Sequence, residues 1–236
     1  MIRTRSHAVF DKTIMDDAPL LSDQLTGCIR RVPSYNTMNG ITFLGPEYFA
    51  HIKKVYFKRI IANNVYKLSI FGDDGEEFAV VTKEYSRGAA FVPDSIRPFN
   101  LKIENKDGEV IFRASKATSW SNPSLHVYLA NGNVPLGYCK GKLYDDNMEI
   151  LNTKHLKIST VSPGEQGARW DVKEAGFGKD GKPRADTGKL FRRKPDDVIH
   201  EHVWEIKFPE DYEAIEKVLL LHASLFVEIL VSKSLD

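Results

Sequence analysis

Residues 218–231 read Val-Leu-Leu-Leu-His-Ala-Ser-Leu-Phe-Val-Glu-Ile-Leu-Val, a nearly continuous apolar run with no clean polar face. A helix that is apolar all round must lie inside protein or inside lipid. A membrane span needs about 20 apolar residues. This run is shorter, and His222 and Glu228 interrupt it. A charge in mid-membrane costs several kcal/mol, so the run is expected to be a buried helix. Pro209, Glu210, Asp211 and Glu213 just ahead of it place a proline and acids at the positive end of a helix dipole. Together they predict a helix over 209–232.

The chain ahead of that helix is β in pattern from about Phe43. Three segments read as hairpins: 66–71 with 76–81, 99–103 with 110–112, and 125–129 with 136–138. Each is joined by a turn holding Asp-Gly or Asn-Gly, which supplies the positive φ that tight turns require. In the second, Phe99, Leu101 and Ile103 share one face and Asn100, Lys102 and Glu104 the other, so the sheet has one buried and one wet side. Residues 155–159 and 198–208 alternate in the same way, with a Gly-, Lys- and Asp-rich loop over 174–188 between them. In the last strand His200, His202, Trp204, Ile206 and Phe208 share one side. A sheet must bury its apolar face on something. Wrapping it around the apolar helix satisfies both and removes exposed edges. The expected fold is mainly β, a closed barrel around a central C-terminal helix. Residues 1–40 are expected to be an irregular lead-in and 41–236 the barrel domain.

Lys plus Arg number 33 and Asp plus Glu 32, a formal net charge of +1, which excludes nucleic-acid binding by bulk charge alone but leaves local basic patches open. Two cysteines, Cys28 and Cys139, exclude a disulfide scaffold and a four-thiolate zinc site. A reducing compartment follows. Arg3 and Arg5 precede no apolar core of a secretory signal, though an Arg-rich, acid-poor start leaves mitochondrial import open. The sequon-like triplet at Asn122 is closed by Pro123.

Three stretches resemble the phospholipid scramblase family, within the tubby-like group that includes the LURP-one-related proteins. They are Arg97-Pro98-Phe99 with Leu101, Ile103 and the Asp107-Gly108-Glu109-Val110-Ile111 hairpin; Leu136-Gly137-Tyr138; and Phe208-Pro209 with Asp211, Lys217, Leu219-Leu220-Leu221 and Ala223. The likeness covers roughly residues 40–236. It implies a barrel of about twelve strands around a central helix, with phospholipid binding and transbilayer phospholipid movement as activities. The chain lacks that family's proline-rich arm and its cysteine cluster. The resemblance also implies a calcium segment ahead of Phe208-Pro209. Its two leading acids fall here at His200 and His202, and Asp211 keeps the downstream acid. Calcium prefers several oxygen ligands, so Asp211 is the one residue carried over and no firm cofactor is expected.

Lys53, Lys54, Lys58 and Arg59, with Tyr56 and Phe57 between them, form the densest basic and aromatic cluster. They are the candidate contacts for an anionic phospholipid or phosphoinositide surface; the bland reading is a solvated strand face. Arg192-Arg193-Lys194 is a weak nuclear-import signal. His200 and His202 are expected to be structural. Glu228 and His222 are expected to be hydrogen-bonded inside the barrel or to sit at its mouth. Catalytic motifs are lacking, with no GxSxG, Walker loop, HExxH or dinucleotide glycine pattern. The expectation is therefore a non-enzymatic, cytoplasmic, peripheral membrane protein of scramblase type. The alternative is an interaction or regulatory barrel that binds protein or nucleic acid and scrambles no lipid.

Overall fold

The computed structural model describes residues 46, 48–62, 65–86, 91–93, 96–119, 121–142, 145–164, 169–174, 188–193 and 203–232. At 61, 62, 65, 142, 145, 146, 174, 192, 193, 231 and 232 it describes the backbone alone. The chain divides into two units, Met1–Thr42 and Phe43–Asp236. The expected lead-in over 1–40, Cys28, His200, His202, Lys194 and the centre of the 174–188 loop lie outside the described residues.

After a single helical turn, α1 (Tyr48–His51), come twelve strands. They are β1 (Lys54–Ala62), β2 (Val65–Phe71), β3 (Glu77–Tyr85), β4 (Phe99–Asn105), β5 (Val110–Lys116) and β6 (Ser124–Leu129). Then follow β7 (Pro135–Lys142), β8 (Asp145–Asn152), β9 (Lys157–Pro163), β10 (Arg169–Glu174), β11 (Gly188–Arg193) and β12 (Val203–Lys207). The helix α2 (Ala214–Ser232) ends the series. Each strand pairs antiparallel with its sequence neighbours, and β1 pairs with β12, Phe57 opposite Trp204, to close the barrel. No strand is left with an unpaired edge, so the sheet offers no template for edge pairing.

The three expected hairpins are β2–β3, β4–β5 and β6–β7. Gly75 and Gly108 sit at φ of 77° and 79°, the conformation that glycine adopts at no steric cost. β4 alternates as read, with Phe99, Leu101 and Ile103 at 1% exposure or less and Asn100 exposed. Trp204, Ile206 and Phe208 are buried together on the face assigned to the core, with Trp204 stacked on Phe57 at 5.8 Å. The 155–159 alternation is shifted. His155 lies in the β8–β9 turn at φ 60°, and the strand begins at Lys157.

The interior is filled by α2. Val218, Leu219, Leu220, Leu221, Ala223, Leu225 and Phe226 have no exposed surface. The helix starts at Ala214 and not at Pro209. Pro209 accepts from the Tyr212 N–H (3.4 Å) in a preceding turn, and Glu216 Oε2 reaches back to the Glu213 N–H (2.9 Å). That is the reciprocal half of a capping box, so the cap lies at Glu213. His222 is fully buried, and its Nδ1–H donates to the Val218 carbonyl at 2.8 Å. Ser224 Oγ donates likewise to Leu220 O. These two side chains are thus turned onto the helix's own backbone.

α1, which the β-only reading of this stretch missed, packs at the mouth where α2 begins. Phe49 is fully buried and packs edge-on against Phe78 and Phe112. Lys217 donates from Nζ to Ala50 O (3.0 Å) and Ile52 O (2.9 Å), which fastens α1 and the residue that follows it to α2.

Candidate functional site at one mouth of the barrel

Side chains alternate across a strand, so one row from each strand points into the barrel. In β1 that row runs Val55, Phe57, Arg59; in β3 it runs Ala79, Val81, Lys83, Tyr85; in β5 it runs Phe112, Ala114, Lys116. Each row is apolar beside the helix and turns basic or aromatic where the helix ends. Phe99 marks the level, its ring 6.1 Å from that of Phe226.

Beyond that level cations and rings interleave across the strands. The Arg59 guanidinium lies 5.3 Å from the Tyr66 ring, and the Lys83 ammonium lies 4.9 Å from Tyr66, 4.7 Å from Tyr85 and 5.4 Å from Phe99. Arg97 lies 4.9 Å from Tyr85, and Lys116 lies 5.7 Å from Phe99. Lys116 is 3% exposed and donates to the Arg97 carbonyl at 3.1 Å. Each contact within about 6 Å of a ring is attractive, and its strength grows as the cation loses water. The last turns of α2 end at this mouth, and the negative end of a helix dipole favours cations there. Glu228, 3% exposed, is the acid those turns contribute.

The four cations singled out in the sequence do not form one patch. Lys53 and Lys54 sit at the opposite mouth, their backbone N–H groups donating to the Asp73 carboxylate at 3.1 and 2.7 Å. Lys58 faces outward between Ser69 and Val203. Arg59 alone reaches the basic mouth, roughly 17 Å along the strand from Lys54 at ~3.3 Å per residue. A dense run on a strand is split by alternation and by strand length. Tyr66, Lys83, Tyr85, Arg97 and Lys116 were missed because they lie on four separate segments. The signal was present in β3, where the inward row passes from Ala79 and Val81 to Lys83 and Tyr85.

Asp211 is exposed in the turn ahead of α2. Among the described residues no three His, Cys, Asp or Glu side chains gather to hold a metal ion. Cys139 is fully buried, donates to Leu219 O at 3.6 Å, and its thiol pKa is pushed up by burial. On the outer wall Tyr138 stacks on His155 at 4.4 Å and meets His126 edge-on at 4.9 Å. Burial, then the charges of His155 and Lys140, lower the His126 pKa.

No family model and no solved structure matches the chain. The chain is similar to an SsrA-binding protein of Borreliella afzelii (strain PKo), 28% identical over 120 residues, which are 50% of this chain and 77% of that protein. This corrects the lipid reading. The similarity runs to a protein named for binding SsrA, not to one that moves phospholipid. No helix among the described residues is long and apolar enough to cross a membrane, and α2 is enclosed by strands. A short apolar helix thins a bilayer only when it lies in lipid, and this one lies inside the barrel.

Proposed function

We propose that this protein binds RNA through the basic and aromatic mouth of its barrel. The observation that carries the reading is the interleaving of Arg59, Lys83, Arg97 and Lys116 with Tyr66, Tyr85 and Phe99. Arg59, Lys83 and Arg97 keep surface that can track a phosphate backbone and the exposed Tyr85 ring can accept a base, the combination used for sequence-tolerant binding of nucleic acid, while the buried Lys116 and Phe99 support them from beneath. Similarity to a protein named for SsrA, an RNA, supports RNA as the ligand. A net charge of +1 fits a local site and not a charged coat. Membership of the tubby-like group is part of the proposal. The twelve-strand barrel around its own helix supports it, although a shared fold leaves the ligand to be argued from the site.

Titration of the full chain into fluorescein-labelled RNA, followed by anisotropy, tests this. Three phosphates neutralised by Arg59, Lys83 and Arg97 give a slope of log K against log salt of roughly −2. An absence of saturable binding at low salt overturns the proposal.

A further inference from the structure

We infer that Phe91 is a platform on which an unpaired base stacks, so that the mouth selects single-stranded over duplex RNA; this rests on the RNA reading above. Phe91 is 98% exposed, the most exposed large apolar side chain among the described residues. The other exposed large apolar side chains among the described residues are Tyr85, Val134 and Leu156. Val134 and Leu156 lie in the turns β6–β7 and β8–β9, at the end of the barrel away from the basic mouth. Both exposed rings, Phe91 and Tyr85, therefore belong to the mouth that carries the cations.

The surrounding chain holds Phe91 there. Ile96 is buried at 3% exposure, and Pro93 O accepts from the N–H groups of Ile96 (3.1 Å) and Arg97 (2.9 Å). Arg97 Nε donates to Val92 O at 3.0 Å, while the same guanidinium lies over Tyr85. The residue that holds the backbone next to Phe91, at Val92, is thus one of the mouth's cations. A ring 98% exposed, next to the residue whose carbonyl Arg97 holds, suits a base whose own phosphate falls on Arg97 or Lys83. A duplex keeps its base faces stacked inside and offers such a ring nothing; a single strand presents them.

The probes are a labelled single-stranded RNA of mixed sequence containing one 2-aminopurine, and the same RNA annealed to its complement. Wild type, Phe91→Ala and Phe91→Trp are compared by anisotropy, with 2-aminopurine fluorescence reporting stacking. The expected result is a single-strand affinity loss of roughly 5- to 100-fold in Phe91→Ala, as for removal of one stacking ring. Retention in Phe91→Trp and 2-aminopurine quenching only with an aromatic residue at 91 complete it, and duplex affinity does not change with the substitution. Phe91 touches no core, so all three proteins should unfold at the same temperature. Wild-type RNA binding that Phe91→Ala leaves intact, or weakens equally for duplex, overturns the platform and spares the RNA reading. A wild type that binds neither RNA overturns both. A wild type that instead floats with phosphatidylserine vesicles in a Phe91-dependent way assigns the ring to a lipid interface and also overturns both.

Discussion

Gly137 of β7 lies so close to Leu219 of α2 that a β-carbon at 137 would stand 2.7 Å from Leu219 Cδ1 and 2.5 Å from the Leu151 carbonyl oxygen. The Leu219 side chain packs directly onto the bare backbone of the barrel wall here. The neighbouring Cys139 thiol reaches the Leu219 carbonyl itself. Gly137→Ala should therefore destabilise the fold by about 1–3 kcal/mol, the usual cost of overpacking a filled core. Since one of the two close atoms is backbone, shortening Leu219 relieves only part of the strain. Urea unfolding of Gly137→Ala, Leu219→Ala and the double variant measures this. The double variant should lose less than the sum of the singles, because residues in contact do not add. Strict additivity would mean that 137 and 219 do not share the crowded space.

His222 gives the fold a pH dependence with a definite sign. Burial lowers its pKa from 6.5 to about 4, only partly opposed by its bond to the Val218 carbonyl. The folded state thus binds its proton later than the unfolded chain does. Stability is complete above pH 6.5, falls as the pH drops toward about 4, and levels below that. The interval corresponds to about 3 kcal/mol at 1.36 kcal/mol per unit. His222→Leu removes the titrating group, so between about pH 7 and pH 4.5 the wild type should lose about 2 kcal/mol more than the variant. Parallel stability curves for the two proteins would place the titration elsewhere.

Lys217 is the bond between the two ends of the barrel domain's sequence, joining α2 to carbonyls at Ala50 and Ile52. Desolvation lowers its pKa, and Asp73 opposes the shift by raising it. Lys217→Met keeps the stem and removes the donor, leaving two carbonyls short of a partner. A loss of about 2–4 kcal/mol is expected, since bonds from a charged donor contribute about 1.5–3 kcal/mol each. The loss should be local first. Amide exchange should accelerate over 48–55 before it does in β4 or β7. Uniform acceleration across the barrel would argue that α1 is not a separable plug.

Most of the barrel is legible in the sequence, because the two strongest patterns agree. The period-2 alternation of β4 and the nearly continuous apolar run of 218–231 each demand a partner, and each is the other's. The three hairpin turns read from the sequence followed from Asp-Gly and Asn-Gly; the β8–β9 turn, which was not read, puts a non-glycine residue, His155, at positive φ. α1 was hidden because one turn of helix has no periodicity to read; its position is set by Phe49 and Lys217, far apart in sequence. The site was least legible. Adjacent basic residues at 53, 54, 58 and 59 are dispersed along one strand. Arg59, Lys83 and Lys116, far apart in sequence, converge through a strand order that only the closed barrel defines.

That dispersal separates two basic regions by experiment. If the mouth holds the phosphate backbone, Arg59→Ala with Arg97→Ala should weaken RNA binding and reduce the salt slope by roughly one for each phosphate that is no longer neutralised. Both side chains retain exposed surface and line the mouth, so the fold should survive the change. Lys53→Glu with Lys54→Glu reverses two charges at the opposite mouth. It keeps the backbone N–H groups that Asp73 accepts from, and should leave RNA affinity within about twofold at moderate salt, where charges farther apart than about 10 Å are screened. Affinity that instead falls with Lys53 and Lys54 while ignoring Arg59 and Arg97 would move the interface to the end of the barrel that α1 closes. The cation–ring ladder at the other mouth would then be a cap on the hydrophobic core.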